Sequence, residues 1–336
     1  MQSRKKISVI GAGAWGTALA NTLVQNGHET VIWALEKECA DSINSNQINE
    51  QYLKNVELNS RLKATNSLAD VLGSSAVMIV VPAQYVRGIL RNLAEHIPAE
   101  LPVILCSKGI ELGTLSLMTD VLKEEIPWAT PAVLSGPSFA ADVAIGLPTA
   151  VTIAAKNYRT AEELAFLVGT ETLRPYISQD LIGAEVGGAV KNVLAIACGI
   201  VLGLGLGRSA HSAVLARGFA EMTRLAMALG ADASTLTGLC GLGDLVLTCS
   251  SEKSRNMSFG LALGRGEKVE EVLGARSMVT EGASSAPALE MLSDKLGVDM
   301  PICKMVAQII RNEINPEDAV KLLLQRPIKA EIPNSF

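Results

Sequence analysis

A glycine-rich turn close to the start of the chain is the feature that most restricts its fold. The turn follows a short apolar segment, residues 7–10, and precedes residues 17–26, whose apolar positions have a helical period. It matches the pattern G-x-G-x-x-G, with glycines at Gly11, Gly13 and Gly16. A strand, this turn and a helix in that order predict the first unit of a parallel α/β sheet.

The physical roles of the three glycines point to a ligand. The first permits a tight turn, the second lets a pyrophosphate approach the backbone, and the third allows close packing of helix on strand. The helix start would offer free N–H groups and the positive end of its dipole to the phosphates. We therefore expect Gly11, Gly13 and Gly16 to bind a dinucleotide, with a glycine-rich turn that binds nothing as the alternative.

The residue expected at the adenosine ribose is Glu36, twenty residues after Gly16. A carboxylate at this place favours a free 2′-hydroxyl and hence NAD. Lys37 follows directly and could instead meet the 2′-phosphate of NADP. A solvated surface glutamate is the alternative for Glu36, and the sequence leaves the choice between NAD and NADP open.

The first half of the chain alternates strands with helices. Apolar runs without polar breaks are typical of strands buried on both faces of a parallel sheet. Besides the first strand, strands are predicted at residues 30–33, 76–81, 103–106, 132–135, 149–154 and 174–178, of which 76–81 is almost purely aliphatic. Because crossovers between parallel strands are right-handed, a doubly wound, Rossmann-like sheet is the expected topology.

After about residue 180 the pattern predicts helices and no further strand. The helical periods lie at residues 183–203, 212–229, 255–263, 286–296, 302–312 and 316–324. The fold class is therefore α/β with an added all-helical domain. We expect a dinucleotide-binding domain over residues 1–183, a helical substrate-binding domain over residues 184–336, and a cleft between the two.

Composition argues against several classes of protein. The hydrophobic fraction of 49% and the charged fraction of 19% are globular values, and the net charge of −5 is not the basic excess of a nucleic-acid-binding protein. The six cysteines show no C-x-x-C spacing and there are only three histidines, so we expect neither a metal site nor a disulfide framework. Unpaired cysteines fit a reducing compartment.

No segment predicts a secretion signal or a membrane span. The apolar run after Lys5 and Lys6 is broken by the glycines of the turn, which suits a strand, turn and helix better than a signal peptide. The uncharged stretch between Lys191 and Arg208 is shorter than the roughly 20 residues that cross a bilayer. We interpret it as a buried core helix and expect a cytoplasmic protein.

Two lysines are candidates for the chemistry of a carbonyl group. Lys108 follows a predicted strand, at the carboxyl edge of the sheet where ligands bind in such folds. Lys191 interrupts an apolar helix, with Asn192 beside it. A lysine there is costly to bury unless it faces a polar cleft, although snorkelling at a helix edge is the alternative.

A second cluster of polar residues predicts an anion site. Asp244 follows a Gly-Leu-Gly loop, and Ser254 is a candidate N-cap with Arg255 and Asn256 in the first turn of the helix after it. An arginine, an asparagine and free N–H groups at a helix start suit a phosphate. An ordinary capped surface helix is the alternative.

Taken together, these motifs resemble those of the NAD(P)-dependent glycerol-3-phosphate dehydrogenases of the bacterial biosynthetic type. The resemblance covers essentially the whole chain and depends on several motifs in one order. These are residues 11–16, Ser107-Lys108-Gly109, residues 135–140, residues 187–192, residues 241–245, Thr248-Cys249 and Ser254-Arg255-Asn256.

The resemblance implies a reaction and a set of roles. Hydride transfer between NAD(P)H and dihydroxyacetone phosphate would give sn-glycerol 3-phosphate, the precursor of glycerophospholipids, with Lys191 as proton donor or acceptor at the C2 oxygen. The other implied substrate contacts are Lys108, Gly136, Ser138, Asp244, Ser254, Arg255 and Asn256. The implied cofactor contacts are the glycine turn with Ala14 and Trp15, then Lys108, Ala140, Arg255, Val279 and Glu281.

One departure and two rival functions accompany the resemblance. Many relatives carry a basic residue two places after the tryptophan of the second strand, and this chain has Leu35 there. A related two-domain β-hydroxy acid dehydrogenase with a catalytic lysine would bind a carboxylate instead of a phosphate. A non-catalytic dinucleotide sensor would need no buried lysine. A helical second domain often supplies a dimer face, so a homodimer is expected.

Overall fold

A computed structural model describes residues 4–71, 73–275, 279–328 and 330–331. Its first half contains a single eight-stranded sheet of order β3-β2-β1-β4-β5-β6-β7-β8. The strands are β1 (Lys6–Ile10), β2 (Glu29–Trp33), β3 (Lys63–Thr65), β4 (Ala76–Ile79), β5 (Pro102–Leu105), β6 (Thr130–Ser135), β7 (Thr149–Ala155) and β8 (Leu173–Ser178). The helices that flank them are α1 (Ala14–Gln25), α2 (Lys37–Asn46), α3 (Val86–Leu93), α4 (Met118–Glu125), α5 (Ala140–Ala144) and α6 (Tyr158–Val168).

The predicted α/β class is confirmed, with two corrections in the sheet. Strand β3 was not expected, because its three residues, Lys-Ala-Thr, lack an apolar run and lie at the sheet edge beyond β2. Strands β6 and β7 run antiparallel, so the expectation of a wholly parallel sheet was wrong at this pair. The connection between them holds only the five-residue helix α5, which is shorter than the helix of a usual parallel crossover.

The order of the strands places a crevice at the glycine turn. The chain runs outward from β1 to β2 and β3, then returns to the other side of β1 as β4. Such a reversal of strand order is where ligands bind in open α/β sheets. Gly11 occupies this place with a φ of +115°, and a Cβ on it would lie 2.9 Å from the carbonyl oxygen of Val80.

The second half of the described chain is helical. Its helices are α7 (Leu181–Gly203), α8 (Gly207–Ala228), α9 (Ala233–Leu236), a π-turn (Leu239–Gly243), α10 (Asp244–Ser250), α11 (Arg255–Gly264), α12 (Val269–Gly274), α13 (Glu281–Leu296), α14 (Pro301–Ile310) and α15 (Pro316–Leu324). Helix α13 begins five residues before its predicted start and contains Pro287. The other predicted helices agree with the structure to within a few residues, except that α8 also begins five residues early.

Helix α7 is the central element of the helical half. Its residues belong to one apolar cluster with side chains of α8, α10, α11 and α13. Small residues let α11 approach it closely, because a Cβ on Gly260 would clash with the carbonyl of Ile196. The position of every side chain on α7 is therefore set by packing on several sides.

Two helical segments are long and apolar enough to cross a membrane by length and composition. One is α7, with 23 residues, a mean hydropathy of 1.8 and 89% of its apolar window buried inside the protein; the other, residues 233–250, is 39% buried. Helix α7 begins ten residues before Lys191, so the argument that this stretch is too short to span was wrong. The interpretation as a buried core helix is supported by its packing.

Candidate active site

The glycine turn forms the start of α1 at the carboxyl end of β1. Helix α1 begins at Ala14 with Gly13 as its N-cap, and no side chain caps it. A Cβ on Gly16 would clash with the carbonyl oxygen of Gly11, whereas a Cβ on Gly13 would meet no atom within 4 Å. Gly11 and Gly16 are therefore required by close packing, whereas Gly13 leaves open space, and its predicted approach to a pyrophosphate stays a prediction.

A loop after α2 fixes this turn, which the sequence did not predict. The buried Asn49 amide donates to the carbonyl oxygen of Ala12 and to Oγ1 of Thr17, both at 2.8 Å. Asn49 Oδ1 in turn accepts the backbone N–H of Tyr52 at 3.0 Å. The Tyr52 hydroxyl donates to Glu36 Oε1 at 3.2 Å, so the loop joins the turn to the predicted ribose carboxylate.

Two lysines and an aspartate meet where the helical half contacts the sheet. Lys191 Nζ donates to Asp244 Oδ1 at 2.7 Å and to Thr248 Oγ1 at 2.9 Å. Lys108 Nζ reaches the other oxygen of the same carboxylate at 2.6 Å, and the carbonyl oxygen of Gly136 at 3.1 Å. Asp244 and Lys191 are 1% and 7% exposed. Lys191 is thus a buried, paired cation and does not snorkel into solvent.

The pKa values of this cluster follow from burial and from its charges. Burial lowers the pKa of Lys191 to about 8; Asp244 opposes this effect, and the nearby Lys108 charge adds to it. For Asp244 burial acts to raise the pKa, but the two ammonium groups outweigh it and the pKa is lowered. The cluster therefore keeps the Asp244 carboxylate charged. It also places the pKa of Lys191 close enough to neutral pH for the amine to gain or lose a proton.

The side-chain amides of Asn192 and Asn256 connect the elements that carry the cluster. Asn192 donates to the carbonyl oxygen of Lys108 at 3.3 Å, which ties α7 to the loop after β5. Asn256 donates to Asn192 Oδ1 at 2.9 Å and accepts the N–H of Gly282 at 2.9 Å. The start of α11, the start of α13 and the strand-end lysine are thereby fixed relative to one another.

The remaining predicted residues lie around this cluster. Ser254 caps α11 by accepting the N–H of Met257 at 3.3 Å, which confirms the predicted N-cap, and Arg255 after it is exposed. Partial burial raises the pKa of Glu281 at the start of α13, against the charges of Arg255, Lys108 and Lys191. Val279 is 45% exposed.

Two further predicted residues lie on the sheet side of the site. Gly136 has a φ of +144°, and its carbonyl oxygen also accepts the Ser138 hydroxyl at 3.2 Å. Ala140 begins α5, and both Ala140 and Trp15 pack against the apolar core of the sheet domain. The loop after β6 is therefore joined to the cluster through the Gly136 carbonyl oxygen, which also accepts the Lys108 ammonium.

Thr248 is a member of the cluster that the sequence argument did not assign to the site. It lies four residues after Asp244 on α10, and its hydroxyl donates to Asp244 Oδ1 at 3.3 Å. The i,i+4 spacing from an aspartate places both side chains on one helix face. That spacing is the signal by which it could have been found.

The residues at the glycine turn suit a dinucleotide. The uncapped start of α1 and the open face of Gly13 leave room for a diphosphate against backbone N–H groups. Trp15 Nε1 is buried and has no hydrogen-bond partner among the described residues. A Rossmann-like sheet with this turn, joined to a helical domain that adds a buried lysine, defines a two-domain dinucleotide-dependent oxidoreductase.

Comparison with known proteins gives the family. Residues 6–161 and 180–321 match models described as the N-terminus and C-terminus of NAD-dependent glycerol-3-phosphate dehydrogenase. A glycerol-3-phosphate dehydrogenase [NAD(P)+] from Hyphomonas neptunium is 58% identical, over 98% of this chain and 98% of that protein, and one from Maricaulis maris is 53% identical over 98% and 99%. The chain belongs to the NAD-dependent glycerol-3-phosphate dehydrogenase family, as the sequence motifs indicated.

A solved structure supports the same assignment. The crystal structure of glycerol-3-phosphate dehydrogenase from Coxiella burnetii superposes with a TM-score of 0.92 at 38% identity, covering 96% of this chain and 99% of that one. D-mandelate dehydrogenase in complex with NADH, at 16% identity and a TM-score of 0.63, shares the fold.

Proposed function

We propose that this chain is an NAD(P)-dependent glycerol-3-phosphate dehydrogenase, which interconverts dihydroxyacetone phosphate and sn-glycerol 3-phosphate. The observation that carries the proposal is the buried Lys191 ammonium, 2.7 Å from Asp244, where the helical half meets the carboxyl edge of the sheet. A preorganised cation in a buried site is what the developing charge of carbonyl reduction requires. The product is the precursor of glycerophospholipids, which places the enzyme in lipid biosynthesis.

The chemistry assigned to the chain is proton transfer and charge stabilisation. The nicotinamide, when bound, supplies the hydride to the carbonyl carbon. Protonated Lys191 stabilises the negative charge that grows on the C2 oxygen and donates its proton there. In the oxidative direction the neutral amine of Lys191 accepts the proton of the C2 hydroxyl. Asp244 orients both lysines and balances part of their charge.

The phosphate of the substrate is assigned to the start of α11. Arg255 is exposed in the first turn of α11. Ser254 caps only the N–H of Met257, so the N–H groups of Arg255 and Asn256 lie at the positive end of the helix dipole. The Asn256 amide is bonded to Asn192 and Gly282, so we assign its substrate contact to the backbone N–H. Holding the phosphate here would orient the reacting carbon.

The other contacts follow the same geometry. We assign the substrate's glycerol portion to Lys108, Gly136, Ser138 and Asp244. We assign the cofactor to Gly11, Gly13, Ala14, Trp15 and Gly16 at the diphosphate, and to Lys108, Ala140, Arg255, Val279 and Glu281 along its remaining length. These residues lie in the turn and first helical turn after β1, in the loops after β5 and β6, and at or just before the starts of α5, α10, α11 and α13.

We further propose a cytoplasmic homodimer whose contact is formed by the helical domain. Exposed apolar side chains of that domain, among them Leu206, Met227 and Val246 at 44–45%, support this choice of domain. The boundary between the two domains is proposed at residues 183 and 184, close to the start of α7 at Leu181.

Initial rates with alternative substrates test the function. We expect reduction of dihydroxyacetone phosphate and little turnover of dihydroxyacetone or of a 2-oxo acid, because those lack the phosphate. Arg255→Ala should slow dihydroxyacetone phosphate reduction much more than the phosphate-free reaction, which loses only the cofactor contact of Arg255, with Arg265→Ala at the exposed end of the same helix as control. A preference for 2-oxo acids would assign the chain to the β-hydroxy acid dehydrogenases, and nucleotide binding without turnover would make it a sensor.

A further inference from the structure

The discrimination between the two nicotinamide cofactors depends on the carboxyl end of β2. Strand β2 ends at Trp33, directly beside the end of β1 and the glycine turn, and Leu35, Glu36 and Lys37 follow. Since the adenosine ribose of a dinucleotide lies at the end of this second strand, these three residues face the position of its 2′-substituent. That substituent is a hydroxyl in NADH and a phosphate in NADPH.

Glu36 presents a carboxylate at this position that is bonded through one of its two oxygens. It is the N-cap residue of α2, but its side chain makes no capping hydrogen bond. It is partly buried, and it accepts the Tyr52 hydroxyl at 3.2 Å through Oε1. One carboxylate oxygen is thus anchored, and Oε2 takes no hydrogen bond from the residues that the structure describes.

Tyr52 holds this carboxylate in a fixed relation to the glycine turn. Its backbone N–H is bonded to Asn49, whose amide binds the carbonyl oxygen of Ala12 inside the turn. Asn49 is fully buried. The carboxylate and the diphosphate cradle are therefore parts of one hydrogen-bonded unit, and Tyr52 is a positioning residue for Glu36.

Neither Lys37 nor Lys63 is directed toward this position. Lys37 Nζ binds Asp41 one helical turn further along α2 at 2.5 Å, and both side chains are well exposed, at 67% and 59%. On the neighbouring strand β3, Lys63 is paired with Val31, two residues before the end of β2, so it lies away from the ligand edge. Leu35, which is 72% exposed, offers no charge.

We propose that this chain selects NADH over NADPH, with Glu36 accepting hydrogen bonds from the ribose hydroxyls and repelling a 2′-phosphate. A phosphate there would bring close to two negative charges against a carboxylate that Tyr52 prevents from turning away. The proposal rests on the proposed function only in that the glycine turn binds a dinucleotide. It resolves the choice that Glu36 and Lys37 left open in the sequence.

Binding of cofactor fragments to the full chain tests the proposal without turnover. We would measure the affinity of ADP-ribose and of 2′-phospho-ADP-ribose by calorimetry, and expect the unphosphorylated fragment to bind at least tenfold more tightly. Glu36→Gln should reduce this ratio several-fold. Glu38→Gln, which removes the same charge from an exposed site on α2, should leave it unchanged.

Tyr52→Phe separates positioning from folding. This variant removes the hydroxyl and keeps the ring. It should therefore lower the preference for ADP-ribose over 2′-phospho-ADP-ribose with no change in melting temperature. The proposal fails if the wild-type chain binds the phosphorylated fragment equally or more tightly, if neither fragment binds, or if Glu38→Gln narrows the ratio as much as Glu36→Gln. Selective fragment binding without reduction of dihydroxyacetone phosphate would leave this inference standing and reject the proposed function.

Discussion

At the scale of single residues, Lys191 shows how a common side chain acquires an uncommon pKa. Burial lowers the pKa of the Lys191 ammonium, and Asp244 opposes this effect. The result is a lysine with a pKa of about 8, which is charged at neutral pH and still able to lose its proton. A surface lysine could do only the first of these.

Replacing Lys191 should therefore remove proton transfer and leave cofactor binding intact. We expect Lys191→Ala to lower kcat for dihydroxyacetone phosphate reduction by at least ~10²-fold, the lower range for loss of a general acid. ADP-ribose affinity should not change, because the glycine turn is formed by other residues. Lys295→Ala, an exposed lysine on α13, serves as the control. Near-normal turnover in Lys191→Ala would remove this residue from the mechanism.

The same pKa predicts opposite pH profiles for the two directions of the reaction. Reduction needs Lys191 protonated, so its kcat/KM should fall as pH rises through about 8. Oxidation of glycerol 3-phosphate needs the neutral amine, so its kcat/KM should rise over the same range. Asp244→Asn removes the group that raises this pKa, and both midpoints should move to lower pH. Profiles of initial rate against pH test this, and midpoints that stay fixed in Asp244→Asn would contradict it.

At the scale of elements, sequence periodicity predicted the strands that are buried on both faces of the sheet. It did not predict features that depend on tertiary contacts with neighbouring elements. Strands β1, β4 and β5 are mostly apolar, and all were predicted to within two residues at each end. Strand β3 depends on pairing with β2, and this leaves no local pattern. The span of β7 was predicted, but its antiparallel direction follows from the short α5 connection and not from its own residues. These are tertiary effects on short segments.

The site divides in the same way. Lys191 and Asp244 stand out in the sequence, because a charge in an apolar helix and an aspartate after a glycine loop are locally unusual. Asn49 and Tyr52 lie in an irregular loop and act across 37 and 16 residues, so no spacing rule connects them to Ala12 and Glu36. Sequence reasoning finds the groups that do chemistry more readily than those that position them.

The contact between α7 and α11 depends on the absence of side chains. Gly260→Ala would place a methyl group against the Ile196 carbonyl, so we expect it to lower the free energy of unfolding by ~1–3 kcal/mol. Gly274→Ala in α12, where a Cβ meets nothing within 4 Å, should be neutral or stabilising. Urea unfolding of the two variants measures the difference. Equal effects would show that helix propensity, and not packing, decides at both positions.

At the scale of the whole molecule, α7 joins the two halves through a buried carboxylate. Glu185 on α7 accepts the N–H of Thr119 at 2.9 Å and its hydroxyl at 2.5 Å, at the first turn of α4 in the sheet domain. Burial raises the pKa of Glu185 to about 7. Burial also raises the pKa of Glu221 on α8 to about 7. Its carboxylate accepts the N–H groups of Ile302 and Cys303 at the start of α14. The carboxyl groups of both glutamates therefore titrate near neutral pH.

These two glutamates give the whole fold a pH dependence of definite sign. A carboxyl group whose folded pKa lies above its unfolded value of 4.5 binds more protons in the folded state, so stability is highest below about pH 4.5 for this term and falls as pH rises toward 7. For one such group the loss is on the order of 3 kcal/mol, at 1.36 kcal/mol per pKa unit. Other groups add their own terms, so the effect is isolated by comparing variants.

Glu185→Gln should remove its share of this dependence, because glutamine keeps an oxygen for the Thr119 N–H and carries no charge to bury. We expect the variant to be more stable than the wild type at pH 8 and nearly equal to it at pH 5, as measured by urea unfolding at both values. Glu317→Gln, at an exposed position on α15, should shift neither. If Glu185→Gln is instead destabilised equally at both pH values, the hydrogen bonds to Thr119 require the full carboxylate, and the domain contact depends on geometry and not on the titration of Glu185.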